Sequence, residues 1–225
     1  MGTRNNQGFT LIEIAIVLVI IGLLLGGVLK GQELITGARV RNLISQQDGI
    51  KAAFFGFQDR YRALPGDYAA ASTNIKCSAT CPDGNGNGRI QASTAEPFVV
   101  WTHLTAAGFM NGSYNATSTT TDFGDDNSPK NPYSVYLQVI YDANYSDPGS
   151  PPSEKHNLKT GSQVPVEIVA EVDRKIDDGR PYTGSFQFSQ YAPAAPDEPD
   201  FQTCVDGGNW DIGGGETNCG GASLF

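Results

Sequence analysis

From Phe9 to Leu29 the chain runs through 21 residues among which Glu13 is the single charged side chain. At 1.5 Å per residue that stretch forms a helix long enough to cross the roughly 30 Å of bilayer hydrocarbon. A general secretory signal has a shorter apolar region of about 7–15 residues and a small-residue cleavage site. Here the region is longer, holds an acid, and no A-x-A pattern follows. A carboxylate in hydrocarbon is costly, so Glu13 marks a functional position that needs a partner. The residues before the span are polar and carry one cation, Arg4, whereas Lys30, Arg39 and Arg41 follow it. Cation counting alone would leave the C-terminal side in the cytoplasm; the cleavage motif and the cysteines discussed below argue for export.

The order Gly8-Phe9-Thr10-Leu11-Ile12-Glu13, behind a basic polar leader, resembles the N-terminal motif of type IV pilins and of the pseudopilins of type II secretion. The resemblance implies cleavage by a membrane-embedded aspartyl peptidase, the prepilin peptidase, between Gly8 and Phe9, then N-methylation of Phe9. It makes Glu13 the assembly acid at the fifth mature position. Physically, a buried carboxylate seeks an opposite charge or donors, and the amine of Phe9 on a neighbouring chain is one. Lys30 stands where many type IV pilins carry a proline. The implied partners are other pilin or pseudopilin subunits in a helical filament and an inner-membrane assembly platform. The implied location is the bacterial inner membrane with the head in the periplasm, then a filament there or at the cell surface.

Charge divides sharply along the chain. Residues 9–66 carry a balance of +2 and residues 67–225 one of −12. An acidic region of that size repels phosphate backbones, so nucleic acid is not an expected partner; it suits a solvated exported domain and cations. Cys77, Cys81, Cys204 and Cys219 all follow the span and read as two disulfides with three possible pairings. The local pairing, Cys77–Cys81 with Cys204–Cys219, is the expectation. The second bridge would close a Gly-rich loop around Trp210, a clamp worth ~3 kcal/mol. Zinc is the rival reading, weakened by the absence of any C-x-x-C pair.

Beyond the span, Val40, Leu43, Ile44, Ile50, Phe54, Phe57 and Tyr61 form an apolar stripe interrupted at Gln47. No proline precedes Pro65, so one helix of residues 9–63, about 80 Å long, is expected. Gly22, Gly26, Gly27 and Gly31 are weak points in it, read as sites of close helix packing. Leu64-Pro65-Gly66-Asp67 ends it in a turn. A second helix is expected over Pro97–Ala107, a strand over Ser134–Tyr141, a helix over Val164–Ile176 and a strand at Phe186 and Phe188. The last thirty residues read as loop. The expected fold is pilin-like α+β: leader 1–8, helix 9–63 with 9–29 transmembrane and 30–63 an amphipathic stem, and a loop-rich antiparallel-sheet head over 64–225. The run from Ala63-Leu64-Pro65-Gly66-Asp67 to Trp101-Thr102-His103-Leu104 also resembles heads of some uncharacterised pilin-like proteins.

Asp83-Gly84-Asn85-Gly86-Asn87-Gly88-Arg89-Ile90 fits D-x-[DN]-x-[DN]-G, the first half of a calcium loop. Asp83, Asn85 and Asn87 would offer side-chain oxygens and Arg89 its carbonyl. The twelfth position is Thr94, so Glu96 is the nearest substitute, and Asp67 is within reach in principle. A tandem Asn-Gly turn explains the same residues without calcium. Asp173, Asp177 and Asp178 form a second acidic cluster, and Asp122, Asp125, Asp126 and Asn127 a third; such runs are usually solvated faces. No G-x-S-x-G, H-E-x-x-H or P-loop occurs, and His103 reads as a core-edge or surface residue and not a base. The expectation is therefore a structural subunit, not an enzyme. The alternative is a membrane-anchored exported domain that never polymerises and binds calcium or a protein partner.

Overall fold

Without a proline to stop it, the first helix runs unbroken. In the computed structural model, which describes residues 10–77, 81–145, 149, 153–193 and 198–225, α1 spans Leu11–Tyr61. It stops where Arg62 adopts a left-handed φ of 54°, the usual way a helix terminates. The chain divides into two units, one ending at Arg39 and the other running from Val40 to Phe225. In the first, the large apolar side chains from Leu11 to Ile35 are exposed. The four glycines stay helical, and a methyl at any of them would meet open space.

In the second unit, α1 buries Val40, Leu43, Ile50, Phe54 and Phe57. Gln47, which the sequence marks as the interruption of this stripe, is buried with them. Pro97 sits in the first turn of α3 (Glu96–Ala106), which follows the single turn α2 (Ala71–Asn74). Gly108, at φ 80°, ends α3, and the Phe109 and Met110 amides donate back to Leu104 O. Pro165 precedes α4 (Val166–Ile176), while Val164 pairs as an isolated bridge with Cys219 instead of joining the helix.

A four-stranded antiparallel sheet forms the centre. Along the chain its strands are β1 (Gln138–Asp142), β2 (Lys155–Lys159), β3 (Phe186–Phe188) and, after the two-residue strands β4 (Val205–Asp206) and β5 (Asn209–Trp210), β6 (Gly221–Leu224). Their spatial order is β1-β2-β6-β3. The arrangement, a long apolar N-terminal helix followed by an antiparallel sheet with helices, is pilin-like α+β. One core cluster joins Val40 and Leu43 to α4, β3, Trp210 and the C-terminal cysteines. The other joins Ile50, Phe54 and Phe57 to Trp101 and Leu104 of α3 and to Val139 and Leu158.

Two sequence expectations change, and one strand forms where the sequence predicted no element. The strand expected from Ser134 begins at Gln138, because Asn131 Oδ1 accepts from the Tyr133 and Val135 amides and folds that stretch into a turn. The polar segment Lys155–Lys159 is a strand. The last thirty residues, expected to be loop, contain the interior strand β6 and a hairpin of β4 and β5 that follows the single turn α5 (Phe201–Cys204). Gly221 opens β6 because the Phe186 ring occupies the space a methyl would take.

Candidate functional site

Three groups of residues carry the chemistry. Gly8 and Phe9 lie outside the described residues, but the acid beyond them is placed. Glu13 Oε2 accepts from Thr10 N at 2.8 Å and from Thr10 Oγ1 at 2.7 Å, while Glu13 N donates to Thr10 Oγ1 at 3.3 Å. This is a capping box, with Thr10 as N-cap and Glu13 at N3. The local signal, T-x-x-E, stands in the motif itself. Glu13 is exposed, as are the apolar residues around it. The acid is therefore held at the helix start through Oε2, and Oε1 has no hydrogen bond among the described residues.

The second group brings the Pro65-Gly66-Asp67 turn, the 83–91 loop and α3 together. Every backbone N–H from Gly84 to Gln91 has an acceptor. Gly84 donates to Tyr68 O and Gly86 to Asp67 O. Asn87 and Gly88 donate to the two carboxylate oxygens of Asp67, at 3.0 and 2.7 Å. Asn85 and Gln91 donate to the two oxygens of Glu96, at 3.2 and 3.1 Å. Asn85 Oδ1 also accepts from Asn87 N, Asn87 Oδ1 from Arg89 N, and His156 Nε2 from Ile90 N. Asp83 turns away and accepts from Ser72 N and Oγ. The Arg89 guanidinium lies over the Tyr141 ring at 4.9 Å. The oxygens expected to face calcium are thus engaged by amides, as in tandem Asx turns, and Asp67 reaches in where Asp83 does not. Both Asp67 and Glu96 are buried, and their charge answers the inward-pointing N–H groups.

His103 completes this clasp. It is fully buried, accepts from Gly66 N at Nδ1 (2.9 Å) and meets Pro82 O at Nε2 (2.8 Å). Those contacts fix a neutral imidazole with the proton on Nε2. Burial holds the pKa of His103 below the ordinary value, against the Pro82 bond and the Asp83 charge. Burial lowers that of His156 too, against the charge of Asp67. His103 is a core residue stacked against Phe57.

The third group lies at the end of α4. Oxygens of Asp173, Asp177 and Asp178 lie within 4.8 Å of one another, an arrangement that could hold a metal ion. Asp173 is fully buried, and Trp210 Nε1 donates to its Oδ2 at 2.6 Å. Burial pushes its pKa up to about 6; the Trp210 N–H and the Gly179 amide oppose this, and the charges of Asp178 and Asp177 add to it. Trp210 belongs to the loop closed by Cys204–Cys219, and the other disulfide is Cys77–Cys81, the local pairing. Lys159, also buried, pairs with Asp142 at 2.5 Å on the neighbouring strand.

Residues 3–29 match the prokaryotic N-terminal methylation motif. That N-terminal motif is the prepilin-type one of type IV pilins and pseudopilins, which are structural and not enzymatic proteins. It implies processing by prepilin peptidase, and with the apolar helix it implies anchoring in the inner membrane before assembly. No curated protein and no solved structure shows significant similarity to the chain.

Proposed function

We propose that this chain is a subunit of a pilin-type filament, of a type IV pilus or a type II secretion pseudopilus. Residues 1–8 are the leader, cut off between Gly8 and Phe9, and Phe9 is methylated on its new amine. Residues 9–29 hold the subunit in the inner membrane with the 64–225 head in the periplasm. An assembly platform then draws it into a filament in which apolar stems pack together. The observation that supports this reading is Glu13, the one acid in the apolar segment 9–29, exposed and held by Thr10 through Oε2. In a filament its other oxygen meets the amine of Phe9 on the next subunit and sets the axial register. Desolvated among stems, either charge is costly without the other, so loss of Glu13 would leave the Phe9 amine uncompensated.

Intact-mass measurement of the chain from its native host should show loss of residues 1–8 and gain of one methyl. Glu13→Ala should leave that cleavage in place and reduce filament yield at least ~10-fold, the equivalent of about 1.4 kcal/mol per added subunit. An intact N-terminus would instead identify an anchored domain that does not polymerise. Normal filaments from Glu13→Ala would remove the acid from assembly.

A further inference from the structure

The two acidic centres of the Val40–Phe225 unit are unlike each other in one respect. Asp67 and Glu96 each receive backbone N–H bonds on both oxygens. Asp173 is just as buried, but its Oδ1 has no hydrogen-bond partner of ordinary geometry among the described residues. With the Gly179 amide outside ordinary hydrogen-bond geometry, that buried oxygen is poorly satisfied, which is costly, and two further carboxylates lie beside it. Asp177 holds the start of β3, one of its oxygens accepting from the Ser185 and Phe186 amides. Asp178 accepts from Arg180 N at 2.9 Å and from Thr183 Oγ1 at 2.5 Å. The neighbouring cations are engaged elsewhere or at the rim: Arg174 and Lys175 both pair with Glu171, and the Arg180 charge acts on exposed Asp178.

We infer that Asp173, Asp177 and Asp178 bind a hard divalent cation of the calcium class, with the buried Asp173 Oδ1 as its innermost ligand. Ligands at 2.3–2.6 Å from one calcium ion lie at most about 5 Å apart, which matches oxygens gathered within 4.8 Å. The donor set is all oxygen; both histidines belong to the clasp and both disulfides are closed, so softer metals find no ligand of their own here. The cation would tie together the end of α4, the start of β3 and, through Asp173, Trp210 in the disulfide loop. Three carboxylates on a partly exposed site give the modest affinity of extracellular calcium modules, on the order of 0.1–1 mM. This inference goes beyond filament assembly and does not rest on it.

Trp210 provides the readout. In a titration of the full chain in detergent micelles, terbium bound at the triad should give tryptophan-sensitised emission that saturates and is displaced by ~10 mM calcium. The emission should fall at least ~10-fold in Asp178→Asn, an exposed position, and in Asp173→Asn, which keeps an acceptor for Trp210. Asp122→Asn, in a separate acidic run, should leave it unchanged. Calcium at ~10 mM should also raise the wild-type Tm by roughly 5 °C and not that of Asp178→Asn. The far-UV spectrum and absence of free thiols report whether each variant has folded. Emission or a Tm rise that persists in both triad variants overturns the inference, as does a wild-type chain with no saturable binding. Processing at Gly8 is read separately by mass, so neither result bears on the other.

Discussion

One helix, α1, presents two kinds of apolar surface. Before Arg39 its leucines and isoleucines are exposed, Leu11 at 92% and Leu23 at 73% of their possible area; after Val40, Leu43 and Phe57 stand at 1% and 0%. Backbone geometry and helix propensity do not separate the halves. What separates them is whether this same chain supplies the covering side chains. The later half is covered by α3, α4 and the sheet. The earlier half must find lipid or other copies, because burial of a Leu side chain is worth about 1.5–3 kcal/mol and nothing in its own unit provides it.

The sharpest way to break this comparison is a pair of truncations. Phe57→Ala, in the fully buried region, should cost about 3–5 kcal/mol of unfolding free energy in denaturant titrations of detergent-solubilised protein. Leu18→Ala should leave the same transition within about 0.5 kcal/mol. Equal effects would mean that the two halves share one cooperative unit. A smaller loss is expected for Gly221→Ala, where the new methyl overlaps the Phe186 ring; overpacking of this kind costs roughly 1–3 kcal/mol. A stability unchanged by that substitution would show that β6 does not need a glycine to pass Phe186.

Acidity sharpens a second contrast, that between the clasp and the triad. His103 and His156 have folded pKa values below the unfolded value, so their contribution is present above about pH 6.5 and is lost as pH falls through the folded values. Asp173 works in the opposite sense. Its folded pKa of about 6 exceeds the unfolded value of 3.8, so its charge destabilises the fold above pH 6 and that penalty shrinks as pH falls towards 3.8. In chelator, Asp173→Asn should therefore be more stable than wild type at pH 7 by about 1–3 kcal/mol. The advantage should fade by pH 4.5. An advantage of constant size across that range would assign the effect to packing and not to charge.

How much of this was legible in the sequence depended on whether the decisive interaction was local. The α1 stripe, the Pro97 helix and the span with its acid are patterns within one element, and the residues alone convey them. Lys-His-Asn-Leu-Lys carries no apolar alternation to announce strand β2, where Lys159 is buried and its ammonium pairs with Asp142 of the neighbouring strand. Strand β6 reads as loop because it opens with glycine, a requirement set by a phenylalanine 35 positions earlier. In the 83–91 loop the Asn-Gly repeats were visible. The anchoring role of Asp67 and Glu96 was not, since it depends on the distant Gly66 turn and α3 meeting there.

The clasp has a consequence for the chemical lifetime of the molecule. Asn-Gly pairs are the dipeptides most prone to spontaneous deamidation, which begins when the glycine nitrogen swings onto the asparagine side-chain carbonyl carbon. Asn85-Gly86 and Asn87-Gly88 are two such pairs in tandem, yet Gly86 N is fixed on Asp67 O and Gly88 N on the Asp67 carboxylate. A segment that would age quickly as a free peptide is thereby kept from cyclising.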